Sequence, residues 1–205
     1  MLAVVALALS GCSNNPSRIE YKAGTFYFDG ILSGAKHAGK RQTLSAQFGA
    51  DTEALSLIVE KEVLLAALRA ANIRNRSLSA ADVMKIESEW RSASTDDSIV
   101  TSRIDGPCSA LLAKFVASHV KFAEVFVTDR HGLNVCQSQK TTDYEQADER
   151  WWVEASAATQ PTHGKLEHDL SADAIGVAIY IPILEPGTQT LMGLAKGFVW
   201  REMPK

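Results

Sequence analysis

Nowhere does the chain gather lysine and arginine. Its densest basic group is Lys36, Lys40 and Arg41, and the formal net charge is −3 over 205 residues. A phosphate-backbone binder needs a basic face, so nucleic acid is excluded as a partner, and the small basic group reads as a solvated linker. No internal repeat and no low-complexity tract is present, and no segment after the N-terminus approaches the ~18 uninterrupted apolar residues of a membrane-spanning helix. Catalytic signatures are missing too: there is no nucleophile elbow, no phosphate-binding glycine loop and no HExxH. Without an acid–base or nucleophile set the chain is not read as an enzyme, and it asks for no cofactor. At 46% hydrophobic and 22% charged residues it can still bury a core, and its length fits one domain with attachments.

Cysteine is also scarce, and each of the three carries information. Residues 1–12 read MLAVVALALSGC. Nine apolar residues lead into Leu9-Ser10-Gly11-Cys12, which resembles the lipobox of a bacterial lipoprotein signal peptide. That resemblance implies cleavage before Cys12, a lipid on its sulfur and an extracytoplasmic location. The apolar run is too short to span a bilayer. No Lys or Arg precedes it, which puts the expected start upstream of Met1. Ser13 is not the aspartate that retains some lipoproteins at the inner membrane, and this leans toward the outer one. Cys108 and Cys136 are free to pair in an oxidising compartment. Equally, Cys136 in a strand would serve as a small buried residue.

After the SNNPS tether, residues 17–50 read as a loosely structured lead-in with one short strand at most. Residues 51–74 read as one long helix, about 35 Å at ~1.5 Å per residue, capped by Asp51 or Thr52. A second helix follows in SLSAADVMKIESEWR, capped by Ser79, with Val83, Ile86 and Trp90 on one face. Gly106-Pro107 breaks the chain before a shorter helix at 109–119. The period then changes. KFAEVFVTD (121–129), a turn over Asp129–Gly132 and LNVCQS (133–138) make a β-hairpin. Residues 147–157 read as a short helix, Pro161 with His163-Gly164 as a loop, and GVAIYIPIL with TLMGLAKGFVW as a closing hairpin. The class is therefore α+β.

Four pieces of this order resemble the periplasmic Cache sensor domains (PDC-type, PAS-like) over roughly residues 51–200. They are the long helix with SLSAADVMKIESEWR, the hairpin FAEVFVTDRHGLNVCQSQ, the segment TTDYEQADERWW, and IGVAIYIPILEPGTQTLMGLAKGFVW. TTDYEQADERWW is the most specific, close to the family's TSDY-x-x-GDE followed by tryptophan; Ala147 replaces the glycine. The resemblance implies a PAS-like antiparallel sheet of five or six strands packed on a long N-terminal helix. It also implies a ligand pocket on the opposite face, roofed by the segment after the first hairpin. On this basis residues 1–11 are a signal peptide, 12–50 tether and lead-in, and 51–205 the sensor domain. The amino-acid-binding motif of related two-module sensors does not carry over, because its spacing is not matched.

The chemistry of the roof segment points to ligand binding by Asp143, Tyr144, Asp148, Arg150, Trp151 and Trp152. Indoles offer apolar faces and cation–π attraction. The two aspartates suit an amine, the tyrosine donates a hydroxyl, and the arginine suits a carboxylate. Adjacent helical residues diverge by about 100°, so only one tryptophan is expected to face a ligand. The competing reading makes both tryptophans core and the acids a solvated turn. His163, Glu167, His168 and Asp169 are metal-capable types, but their spacing fits a polar loop better, so no metal site is expected. The expected function is a lipid-anchored, periplasm-facing module that binds an amino acid, amine or carboxylate and presents it to a separate membrane sensor or transporter. With Lys205 shortly after the last strand, the chain is expected to have no output module of its own. The alternative is an interaction lipoprotein that keeps the fold without a ligand.

Overall fold

The computed structural model describes residues 38–169 and 174–200, so the expected signal peptide and lipidation site at Cys12 lie outside the described residues. The chain divides into two compact units, Met1–Ser45 and Ala46–Lys205, and the second holds all the described strands. Among the described residues no helix is long and apolar enough to cross a membrane.

The expected long helix is two. Helix α1 spans Ala38–Val59 and α2 spans Glu62–Asn75, with Lys61 in an extended conformation between them. The break lies in the spacing of the buried residues. Leu55 and Val59 sit four apart, as do Leu64 and Leu68, but Val59 to Leu64 is a step of five. In one continuous helix that step puts Leu64 about 140° round from Val59 and the second pair about 180° from the first. Breaking the helix resets the phase, and all four reach the same core. The start is also corrected: α1 begins well before residue 51, so part of the expected lead-in is helical. Asp51 and Thr52 are thus interior rather than caps, and the Thr52 hydroxyl donates to the Phe48 carbonyl at 2.6 Å.

Helix α3 (Ala80–Ser92) starts at Ser79 with a full capping box to Asp82. Helix α4 (Ser98–Ile104), which the sequence pattern did not predict, leads into α5 (Pro107–Ser118), which begins at the Gly106-Pro107 break. Trp90 and Val100 meet Leu133 and Tyr144 in a core of their own, where the indole N–H of Trp90 donates to the Thr141 carbonyl at 2.9 Å.

Five antiparallel strands complete the domain: β1 (Phe122–Asp129), β2 (Asn134–Gln137), β3 (Thr162–Asp169), β4 (Ala174–Leu184) and β5 (Leu191–Trp200), with the short helix α6 (Arg150–Ser156) between β2 and β3. Their order is β2-β1-β5-β4-β3. This is the α+β, PAS-like arrangement the resemblance implies, with five strands. Strand β3 corrects the loop expected at 161–164. Its polar residues sit on a sheet edge, where burial does not demand alternating hydrophobics. In the β1–β2 turn Asp129 accepts the amides of His131 and Leu133 and the side-chain amide of Asn75 at 2.7 Å. Gly132 takes φ 82° there, a conformation that favours glycine.

One sheet face packs on α1, α2 and α5 through Val125, Val127, Ile179, Ile181, Ala195 and Val199. Strand β5 meets these helices with glycine. A Cβ on Gly193 would lie 2.0 Å from the Thr128 carbonyl and 2.9 Å from Leu68, and one on Gly197 would lie 2.9 Å from Leu55. A disulfide joins Cys108 at the start of α5 to Cys136 on β2.

Candidate functional site

The other sheet face is covered by α6. The register places one row of side chains across all five strands of that face: Gln137, Phe126, Lys196, Tyr180 and Thr162. Glu124 lies diagonally from Lys196, opposite Phe198. Glu124 is 1% and Lys196 8% exposed. Two opposite charges are therefore buried on a face otherwise built from Ala178, Tyr180, Leu194 and Phe198. Burying charge is costly unless it is compensated, and both residues interact within the chain. The Lys196 ammonium lies 5.5 Å from the ring centre of Phe126 and 5.6 Å from that of Trp151, within cation–π range.

Both tryptophans of α6 reach this face. Trp151 lies flat on Tyr180, ring centres 5.0 Å apart and planes 7° apart, and meets Phe126 edge-on. Trp152 donates its indole N–H to the Thr128 hydroxyl at 3.0 Å. Both indoles thus reach the sheet, with different partners: Trp151 lies on Tyr180 and Trp152 is held by Thr128. Gly164 on β3 leaves room for the Tyr180 hydroxyl, which a Cβ there would approach to 3.0 Å.

The remaining expected site residues go elsewhere. Residues 143–146 run beside β2, fixed by the Leu133–Glu145 bridge and the Asn134 amide on the Tyr144 carbonyl. This turns Tyr144 toward α3 and α4. Its ring lies tilted against that of Trp90, centres 5.6 Å apart, and carries the Arg103 guanidinium 5.1 Å over it. Asp143 pairs with Arg91 of α3 at 2.9 Å. Burial pushes its carboxyl above the ordinary range, with Arg91 pulling the other way. Its carbonyl accepts from Asn134, Thr141 and Gln146. Glu87 completes the clasp, one carboxylate oxygen accepting the backbone amides of both Tyr144 and Glu145 at 2.8 Å. Asp148 is exposed, and so is Arg150, which pairs with Glu154. The six residues therefore do not converge; Trp151 and Trp152 alone face the sheet.

Sequence reasoning missed Lys196, Glu124, Phe126, Thr128, Gln137 and Tyr180. A signal was present: the central stretches of β1 and β5, FAEVFV and GLAKGFVW, each hold a single charge inside an apolar strand, which a buried strand does not need for packing. His163, read as part of a loop, sits on β3 beside the Thr52 hydroxyl at 2.9 Å, and its burial lowers its affinity for a proton. Among the described residues no group of three or more His, Cys, Asp or Glu is placed to hold a metal ion.

No known protein family and no curated protein matches the chain in sequence. Solved structures do match it. The extracellular domain of the histidine kinase candidate vpHK1S-Z8 aligns at TM-score 0.44 and 14% identity, covering 78% of this chain and 52% of that one. The sensory domain of the Campylobacter jejuni chemoreceptor Tlp3 with isoleucine bound aligns at 0.40 and 13%, covering 81% and 64%. The ligand-binding domain of the Pseudomonas aeruginosa amino acid chemoreceptor PctC with GABA aligns at 0.34 and 15%, covering 74% and 63%. Two of these are sensory or ligand-binding domains of chemoreceptors and one is the extracellular domain of a histidine kinase candidate, and this chain spans between about half and two thirds of their lengths.

Proposed function

We propose that the domain is an extracytoplasmic sensor module that binds a small molecule with an apolar body and a carboxylate between α6 and the sheet. In this reading Lys196 takes the carboxylate and Glu124 balances charge on the same face. Phe126, Trp151 and Tyr180 enclose the apolar part, and Trp152 is fixed by Thr128. The observation that carries the proposal is Lys196, a charge buried among aromatic rings on the face under a short helix. A few polar groups among apolar and aromatic side chains are the usual lining of such sites. The Cys108–Cys136 disulfide supports an oxidising compartment. The lipobox at Cys12 supports attachment to a membrane by lipid, with a separate membrane sensor or transporter as the receiver of the signal. Binding shifts the domain only through differential affinity for two of its shapes.

One observation favours a second reading, an interaction lipoprotein with no ligand. Trp151 packs flat on Tyr180, as a core residue does.

A thermal-shift screen against branched amino acids, GABA, carboxylates, amines and purines separates the two. A ligand at ~100 times its Kd stabilises by about 2.7 kcal/mol. The sensor reading expects a hit among carboxylate-bearing compounds that is lost in Lys196→Met and Trp151→Ala, with both variants still folded by circular dichroism. No hit across the library, or a hit that survives Lys196→Met, refutes the proposed seat.

A further inference from the structure

A cavity of about 190 Å³ opens where the end of α2, helix α3 and the β1–β2 turn meet. None of its residues belongs to the face under α6. Leu78, Val83 and Leu133 supply apolar lining, and Arg76, His131 and Glu145 supply the polar groups. Glu145 is the unusual one. Its backbone amide is held by Glu87, so the position of the residue is fixed. Its carboxylate makes no ion pair among the described residues. Arg91, the arginine of this corner, is already engaged by Glu87 and Asp143. Burial raises the Glu145 carboxyl, and the neighbouring charges of Asp148 and Glu87 raise it further. Arg76 lines the same cavity but is exposed and not within ion-pair distance of Glu145, so solvent screens it. A half-buried acid that lacks a cation, beside an apolar wall and an open space, has a defined complement.

We infer that this cavity is a second ligand seat, for a compact organic ammonium ion whose hydrocarbon body rests on Leu78, Val83 and Leu133 and whose ammonium pairs with Glu145. The amine supplies the missing cation, as a charge-assisted hydrogen bond, and the branched body displaces water from the apolar wall.

The test is an NMR titration of the full chain with isoamylamine, and with 4-methylpentanoate as its carboxylate counterpart. Isoamylamine is expected to shift the resonances of Leu78, Val83 and Leu133 saturably, and 4-methylpentanoate to leave them in place. Glu145→Gln should weaken isoamylamine about tenfold or more, the worth of one hydrogen bond to a charged group. Because that carboxylate supports no ion pair and its ionisation is disfavoured in the fold, the variant should melt no lower than the wild type at neutral pH. Val83→Phe, which fills the cavity, should abolish the shifts, and Lys196→Met should leave them intact. No saturable shift in the wild type, or unchanged affinity in Glu145→Gln or Val83→Phe, overturns the inference. Loss of the shifts in Lys196→Met overturns the separateness of the two seats, independently of whether any carboxylate binds under α6.

Discussion

Glu87→Ala should unfasten the segment that leads into α6. The Glu87 side chain is only 14% exposed, and one of its oxygens accepts two consecutive backbone amides, Tyr144 and Glu145, at 2.8 Å each. Its other oxygen accepts from Arg91, which in turn holds Asp143. Truncation leaves two part-buried amides without acceptors. An orphaned buried donor costs about 1–3 kcal/mol; part burial places each near the lower end, so the loss should be about 2–3 kcal/mol. For a domain of this size that is a fall in Tm of roughly 5–10 °C. Glu87→Gln keeps one oxygen for the two amides and loses the charge toward Arg91, so it should cost about 1 kcal/mol. Urea denaturation of the three proteins gives the ordering, and amide hydrogen exchange gives the location. Tyr144 and Glu145 should exchange faster in Glu87→Ala while β5 amides keep their protection until global unfolding. A Glu87→Ala protein within about 0.5 kcal/mol of wild type, the usual range for an inconsequential surface change, would refute the clasp.

Two further outcomes rest on the disulfide and on a buried acid. The Cys108–Cys136 disulfide closes a loop of 28 residues, which is worth about 3.6 kcal/mol in chain entropy and so about 10 °C of Tm. Scans with and without reductant measure it, and coincident midpoints would remove the bridge from the account. Asp51 has a buried oxygen with no hydrogen-bond partner, and burial holds its carboxyl above the ordinary range, with Lys121 and His119 pulling partly back. Such a group binds protons more tightly folded than unfolded, so its ionisation costs stability at neutral pH and the cost vanishes as pH falls through the raised value. Asp51→Asn should therefore raise Tm at about pH 7 and give no advantage near pH 4; a pH series of melting curves that shows the reverse trend defeats the assignment.

Much of the fold could be read from the residues because the elements announce themselves by period. Ser79 with Asp82 marks the start of α3, Gly132 marks the turn between β1 and β2, and the β-branched run in GVAIYIPIL marks β4. The failures have physical causes. Strand β3, THGKLEHD, lies on an edge where only one neighbour and partial burial constrain it, so its composition stays polar. The break between α1 and α2 has no glycine or proline; its only trace is the five-residue step from Val59 to Leu64. The site was legible in half. Paired tryptophans drew attention to α6, but Asp143, one of the acids beside them in sequence, serves the clasp on α3. The charges on the face under α6, Glu124 and Lys196, sit inside strands and become neighbours only through the register of β1 with β5.

That central strand has a mechanical property as well as a chemical one. Lys196 and Gly197 are consecutive, one facing the helix with the tryptophans and the other pressed against Leu55 and Phe122 with no side chain between. One backbone step along β5 therefore separates the face under α6 from the helix layer, and between Gly197 and α1 stands only the Leu55 side chain. A larger residue at 197 would thicken the layer there and push β5 off α1.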